Sequence, residues 1–138
     1  MFVWTKQLSI GNRILDSEHK NLHDIVNKIA CSILARDVAA LSEAFNLLEN
    51  RLCGYFVVEE NIAQAVNFDF VQHKSMHQNL LNEFKRIRVE LTVKNGRWSD
   101  DEGGHYAHFL MDYLIQHIKR DGRPLKIVLD TCLYDFNP

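Results

Sequence analysis

Proline is almost absent from this sequence. Only two prolines occur among its 138 residues, Pro124 and Pro138, and both lie near the carboxyl end. Because proline is the residue that most readily interrupts a helix, long helices can form anywhere before Pro124. Internal repeats and low-complexity segments are absent too. A chain of this length is typical of one domain with its own core, so we expect a single domain over residues 1–138.

Clustered positive charge and long apolar runs are also lacking. The formal net charge is −2 and no run of lysine and arginine occurs, which argues against nucleic acid as a partner. No apolar stretch approaches the roughly 20 residues that span a bilayer. The first residues do not have the pattern of a signal peptide. We therefore expect a cytoplasmic protein without a membrane partner.

Cysteine is scarce as well. The three cysteines, Cys31, Cys53 and Cys132, are an odd number at wide spacing. They form neither a disulfide framework nor a CxxC metal site. We expect them to be buried as small hydrophobic residues.

Apolar residues, by contrast, recur at three- and four-residue spacing along most of the chain, which is the period of an amphipathic helix. Asp16–Ser17 and Ser99 indicate helix N-caps. No segment shows the sustained alternation that a half-buried strand needs. These signals predict an all-α fold, an antiparallel up-down-up-down four-helix bundle. The predicted bounds are an N-terminal arm over 1–15, a bundle over 16–122 with helices ending near 37, 66, 93 and 122, and a C-terminal tail over 123–138.

Histidine is unusually frequent, with seven copies. His73 and His77 are four residues apart on the apolar face of the third predicted helix, so both imidazoles should point into the core. A single core histidine is usually satisfied by hydrogen bonds. Two histidines on one inner face are harder to satisfy, because each has a donor and an acceptor that need partners. A metal ion bound to both is one solution.

The other predicted helices also carry metal-binding side chains on their apolar faces. Glu59 lies on the second helix, His117 on the fourth and His19 on the first. A glutamate is rarely buried without a partner, and a cation offsets the cost of removing its charge from water. Nitrogen and oxygen donors without a thiolate suit iron, manganese or zinc. The core of a helix bundle is a known place for such sites.

At these positions the sequence resembles the hemerythrin family, in particular the bacterial hemerythrin-like domains, over nearly its whole length. The similarity is carried by Trp4, Ile10–Gly11, Leu15–Lys20, Phe56–Glu60, His73–His77 and His117–Ile118. The resemblance implies a four-helix bundle with a non-haem centre of two irons. It implies that His73, His77 and His117 hold one iron. His19 would then belong to the other iron, and Glu59 would bridge the two.

One ligand position differs from the family pattern at Tyr55, where the family has a histidine. Tyr55 has three interpretations: a phenolate ligand, a space-filling residue with a hydrogen-bonded hydroxyl, or the cause of an empty second site. His23 lies one helical turn after His19. It is either a replacement ligand or a histidine packed in the core.

A second difference lies near the end of the fourth predicted helix. The family's bridging aspartate falls five residues after the last histidine, where this sequence has Gly122. Asp121 is one position early and is the candidate for that role. We expect His105, His108 and Glu60 to face solvent, because they lie off the inner faces of their helices.

The resemblance implies a protein that binds O2 or a related diatomic such as NO, for carriage, storage or sensing. Occupancy by one iron rather than two is an alternative that the two altered positions leave open. A sensory role would require a separate signalling partner, and a homo-oligomer is compatible with the apolar tail. Two other hypotheses remain: a di-iron oxidase or peroxidase, and a metal-depleted or mononuclear bundle that acts as an interaction module. The sequence favours binding over catalysis, and we assign no catalytic residue.

Overall fold

The computed structural model describes residues 2–69 and 71–121, without the side chains of residues 72, 73, 120 and 121. Four long helices make up most of this part: α1 (Arg13–Ala35), α2 (Val38–Ala65), α3 (Val71–Lys94) and α4 (Asp100–Gln116). A 3-10 turn over Lys6–Leu8 precedes α1, and a π-helical segment over His117–Asp121 continues α4. The described residues contain no strand. The all-α, four-helix prediction is confirmed.

Helix α1 begins earlier than predicted. Its N-cap is Asn12, whose side-chain oxygen accepts hydrogen bonds from the backbone N–H groups of Ile14 and Leu15. Asp16 instead lies in the first turn and accepts hydrogen bonds from the hydroxyl of Ser9 and the backbone N–H of Ile10. The predicted N-cap at Asp16–Ser17 is therefore wrong. Asparagine and aspartate are both good caps, and the sequence alone did not separate them.

The later helix ends match the sequence signals more closely. Arg36 ends α1 in the left-handed conformation, with φ of 54°. The Asp37 side chain then caps α2 by accepting a hydrogen bond from the N–H of Ala40. Ser99 caps α4 in the same way, as predicted, by accepting from the N–H of Glu102. Short connections at these caps bring consecutive helices side by side.

Buried apolar side chains from all four helices form one core cluster. Its larger members are Leu22, Ile29, Ile33, Phe45, Leu48, Leu52, Leu80, Phe84, Leu91, Leu110 and Leu114. Contacts between α2 and α3 occur in opposite order along the two helices, with Glu49 beside Arg88 and Glu59 beside His77. This order is that of antiparallel neighbours. The complete up-down-up-down order remains a prediction.

Trp98 closes one end of the bundle. Its indole N–H donates a 2.8 Å hydrogen bond to the backbone carbonyl of Ile33. Gly103 makes room for this ring, because a Cβ added there would lie 3.1 Å from Trp98. The opposite end of the bundle holds the polar side chains described below.

The cysteine prediction is wrong for the two cysteines in the described residues. Cys31 and Cys53 are both exposed. Cys31 lies midway between the buried Ile29 and Ile33, a spacing that turns it away from the core in a helix. Cys132 and the predicted tail lie outside the described residues. None of the helices described combines the length and the apolar composition needed to cross a bilayer.

Candidate metal centre

Each long helix, or its continuation, contributes a buried polar side chain to one region of the bundle. His19 comes from α1, Tyr55 and Glu59 from α2, His77 from α3, and His117 from the start of the π-helical segment. All five side chains are buried. A buried leucine lies one helical turn from four of these residues, namely Leu22, Leu52, Leu80 and Leu114. The polar side chains therefore lie beside a layer of the apolar core.

Glu59, His77 and His117 form the centre of this region. Each offers a ligand atom, and these atoms lie within 4.8 Å of one another. His77 Nε2 and Glu59 Oε1 are 3.0 Å apart. Two buried imidazoles and a carboxylate at this spacing are a donor set that a divalent or trivalent transition metal takes.

Tyr55 joins this cluster to His19. The Tyr55 hydroxyl oxygen lies 2.9 Å from His19 Nε2 and 3.0 Å from His117 Nε2. A neutral phenol has one proton, so it donates to one imidazole and accepts an N–H from the other. The two histidines therefore have different tautomers while the phenol is protonated.

Burial is the main electrostatic influence on His19. It lowers the pKa of His19 to about 4, although the charge of Glu59 acts in the opposite direction. The imidazole is thus neutral near pH 7, which is the protonation state that binds a metal. Its Nδ1 atom has no hydrogen-bond partner among the described residues. Burying such a polar atom without a partner costs about 1–3 kcal/mol of folding free energy.

The residues present fit a metal ion. Two ligand atoms that are each about 2.1 Å from one ion, at right angles, lie about 3 Å apart. The separations within the His77–Glu59 pair and on both sides of the Tyr55 oxygen are 2.9–3.0 Å. These spacings suit hydrogen bonds in the metal-free protein and neighbouring ligand positions in a loaded one.

Two predicted ligands fall where the side chains are not described. His73 lies in α3, one turn before His77, and Asp121 is the last residue of the π-helical segment. Both side chains, and Gly122, lie outside the described residues, so both assignments remain predictions. The π-helical segment itself was not predicted, and such segments are frequent at functional sites.

His23 is buried but belongs to a different set of contacts. Its ring packs edge-on against Trp4, with centroids 5.6 Å apart, and its Nδ1 lies 3.5 Å from the Asn27 amide nitrogen. Burial lowers the pKa of His23. It is not part of the Glu59 cluster. These contacts suit the packed-histidine interpretation, and a ligand role remains an untested prediction.

The residues expected on the surface lie there or close to it. His105 and His108 are exposed. Glu60 is half-buried and forms a 2.8 Å ion pair with Lys74.

This pair borders a cavity of about 260 Å³ that is also lined by Phe56 and His77. The His77 ring stacks on Phe56 with centroids 4.0 Å apart, so the cavity borders the cluster of Glu59, His77 and His117. Sequence reasoning missed this cavity.

Comparison with known proteins identifies a family that carries this kind of site. The family described as hemerythrin HHE cation binding domain matches residues 10–122. A bacteriohemerythrin of Pseudomonas aeruginosa strain PAO1 is 23% identical over 120 residues, covering 86% of this chain and 75% of that protein. A bacteriohemerythrin of Stenotrophomonas maltophilia is 20% identical over 122 residues, covering 88% and 76%. A hemerythrin-like protein of Naegleria gruberi is 26% identical over 129 residues, covering 93% of both chains.

The matched region runs from just before α1 to just after the π-helical segment. It includes every described donor of the cluster, and this family's donor set implies non-haem iron. The fold, the site and the family match thus agree, and the chain belongs to the hemerythrin family.

Proposed function

We propose that this protein holds non-haem iron in its bundle and uses it to bind O2 or a related diatomic such as NO. The observation that carries the proposal is the convergence of Glu59, His77 and His117, which come from three parts of the bundle and share one buried site. The names of the relatives, bacteriohemerythrin and hemerythrin-like protein, support it.

The proposed ligands are His19, Glu59, His77 and His117 from the described side chains, with His73 and Asp121 completing the set. Iron, when bound, supplies a redox-active centre with a coordination position open to a small molecule. Glu59 offsets part of the positive charge of the metal, and the neutral imidazoles provide nitrogen donors. The layer of buried leucines beside the site keeps water away from it.

Sensing, or an altered metal site, fits the altered ligand set better than oxygen carriage. Tyr55 replaces a nitrogen ligand of the family pattern, and Gly122 stands where the family's aspartate is expected. A sensory role would require a signalling partner, which remains a prediction, as do a homo-oligomer and a cytoplasmic location.

The test is the iron content of the purified protein after anaerobic loading with ferrous iron. We expect one to two irons per chain, and a visible spectrum that changes when O2 or NO is added. His77→Ala should lose most of the iron, because it removes a nitrogen from the centre of the cluster. His105→Ala is the matched control, since His105 is exposed on α4 and should leave the content unchanged. Full iron content in His77→Ala would overturn the assignment.

A metal-free interaction module is the second candidate, and one observation favours it. The polar side chains already form hydrogen bonds with one another, from His19 through Tyr55 to His117 and from His77 to Glu59. This reduces the cost of burying them without a metal. If the wild-type protein takes up no iron under anaerobic loading and remains folded, this candidate replaces the first.

A further inference from the structure

The position of the Tyr55 hydroxyl is the feature that the proposed function does not yet use. The ring is completely buried, on the same face of α2 as Glu59, which is four residues further along. Its hydroxyl oxygen lies between two histidines from different elements, 2.9 Å from His19 Nε2 and 3.0 Å from His117 Nε2. This position agrees with the space-filling interpretation, which includes a hydrogen-bonded hydroxyl, and it also places an oxygen donor between two histidines.

The surroundings of that oxygen are those of a metal donor. His117 Nε2 is within hydrogen-bonding distance of the Tyr55 oxygen, and His117 also belongs to the cluster with Glu59 and His77. The Tyr55 ring lies against the His77 ring as well, with centroids 5.8 Å apart. The phenol oxygen therefore lies beside one member of the cluster, His117, and the phenol ring lies beside another, His77.

We propose that Tyr55 binds the iron as a phenolate, and that it connects His19 to the cluster of Glu59, His77 and His117. This inference rests on the proposed iron centre. Metal ligands bind in their deprotonated form, so loading releases the hydroxyl proton to solvent and forms the iron–oxygen bond in place of the O–H bond. The two hydrogen bonds of the metal-free protein hold the oxygen in place before the metal arrives.

The phenolate changes the charge of the donor set. A neutral imidazole at this position would add no charge, whereas a phenolate adds one negative charge. By Coulomb's law, a negative donor stabilises ferric iron more than ferrous iron. Tyr55 therefore favours a ferric resting state. Reversible O2 carriage requires a ferrous resting state, so a centre of this kind is less suited to it.

The experiment compares three proteins loaded anaerobically with ferrous iron and then oxidised with ferricyanide. The wild-type protein should show a phenolate-to-iron absorption band in the visible, with tyrosine ring modes in its resonance Raman spectrum. Tyr55→Phe should retain iron but lose both signals. Tyr106→Phe is the matched control, because Tyr106 is half-buried on α4 and donates to Glu90, outside the centre, so both signals should persist.

The reduction potential provides an independent readout. Tyr55→Phe should shift the ferric-to-ferrous ratio at a fixed potential at least tenfold toward ferrous, a rise of about 59 mV for one electron. If Tyr55→Phe does not fold, Tyr55→His replaces it, with a nitrogen in place of the phenol and the same loss of the band. A wild-type protein that binds iron without these signals, or a band that persists in both variants, would overturn the role of Tyr55 while leaving the iron centre intact. A wild-type protein that binds no iron would overturn both proposals.

Discussion

The two ends of the bundle differ in the polarity of their buried side chains. At one end, the indole N–H of Trp98 is paired with the carbonyl of Ile33, and the ring belongs to the hydrophobic core cluster. At the other end, the core contains three buried histidines, a glutamate and a tyrosine in mutual contact. The first end contributes stability through packing. The second accepts an incompletely bonded polar atom in His19, a departure from good packing that is typical of functional sites.

The largest change in stability should appear when the apolar part of the core loses a large side chain. Phe45 is fully buried on α2 in the apolar part of the core. Phe45→Ala should lower the free energy of unfolding by about 3–5 kcal/mol, because it removes apolar surface and leaves a cavity. Urea denaturation measures this loss. The variant should still bind iron per folded chain, and an equal loss of iron affinity would contradict the separation of the two ends.

A second prediction concerns pH in the metal-free protein. The pKa of His19 is 6.5 in the unfolded chain and about 4 in the folded one, so the unfolded state binds the proton more tightly. Stability is then fully present above about pH 6.5 and is lost as the pH falls toward 4, by about 3 kcal/mol in total. Urea denaturation between pH 7 and 4 measures the slope. His19→Gln should flatten this part of the profile, and an unchanged slope in that variant would assign the loss to other groups.

Close packing at the apolar end can be tested with two neighbouring glycines of α4. A Cβ at Gly103 would lie 3.1 Å from Trp98 and 3.3 Å from Ile33, whereas one at Gly104 would meet nothing within 4 Å. Gly104→Ala should raise the melting temperature, since alanine favours a helix by about 1 kcal/mol over glycine. Gly103→Ala should lose that gain and destabilise by about 1 kcal/mol through crowding. Equal melting temperatures would show that the Trp98 contact is loose.

The smallest effect is expected at the surface of the polar end. Lys74 pairs with Glu60 at 2.8 Å, and its side chain is largely exposed. Lys74→Gln should change the free energy of unfolding by about 0–1 kcal/mol, because exposed ion pairs contribute little. A loss well above 1 kcal/mol would indicate that the mouth of the cavity beside His77 is more important for folding than its exposure suggests.

Helices and their inner faces could be predicted from the sequence because both follow from local rules. The predicted cap at Ser99 marks the start of α4, and the spacing of apolar residues indicates the inward side of each helix. Glu59, His77 and His117 were singled out because they lie on those inner faces, and the structure brings them together.

Three features were missed from the sequence, and only one of them, at Tyr55, depends on contacts between distant segments. Asn12 rather than Asp16 caps α1, since the side chain of Asp16 is occupied by Ser9 and Ile10. The hydroxyl of Tyr55 reaches two histidines that are 36 and 62 residues away in sequence. Cys31 is exposed by its angular position on α1, although cysteine as a residue type favours burial.

The central claim is that buried donors from separate helices meet because iron binds between them. Anomalous diffraction at the iron edge, from crystals of the iron-loaded protein, tests this most directly. We predict an anomalous peak within bonding distance of Glu59, His77 and His117. A loaded crystal with no such peak, in which His77 still donates to Glu59 and Tyr55 still bonds to both histidines, would contradict it.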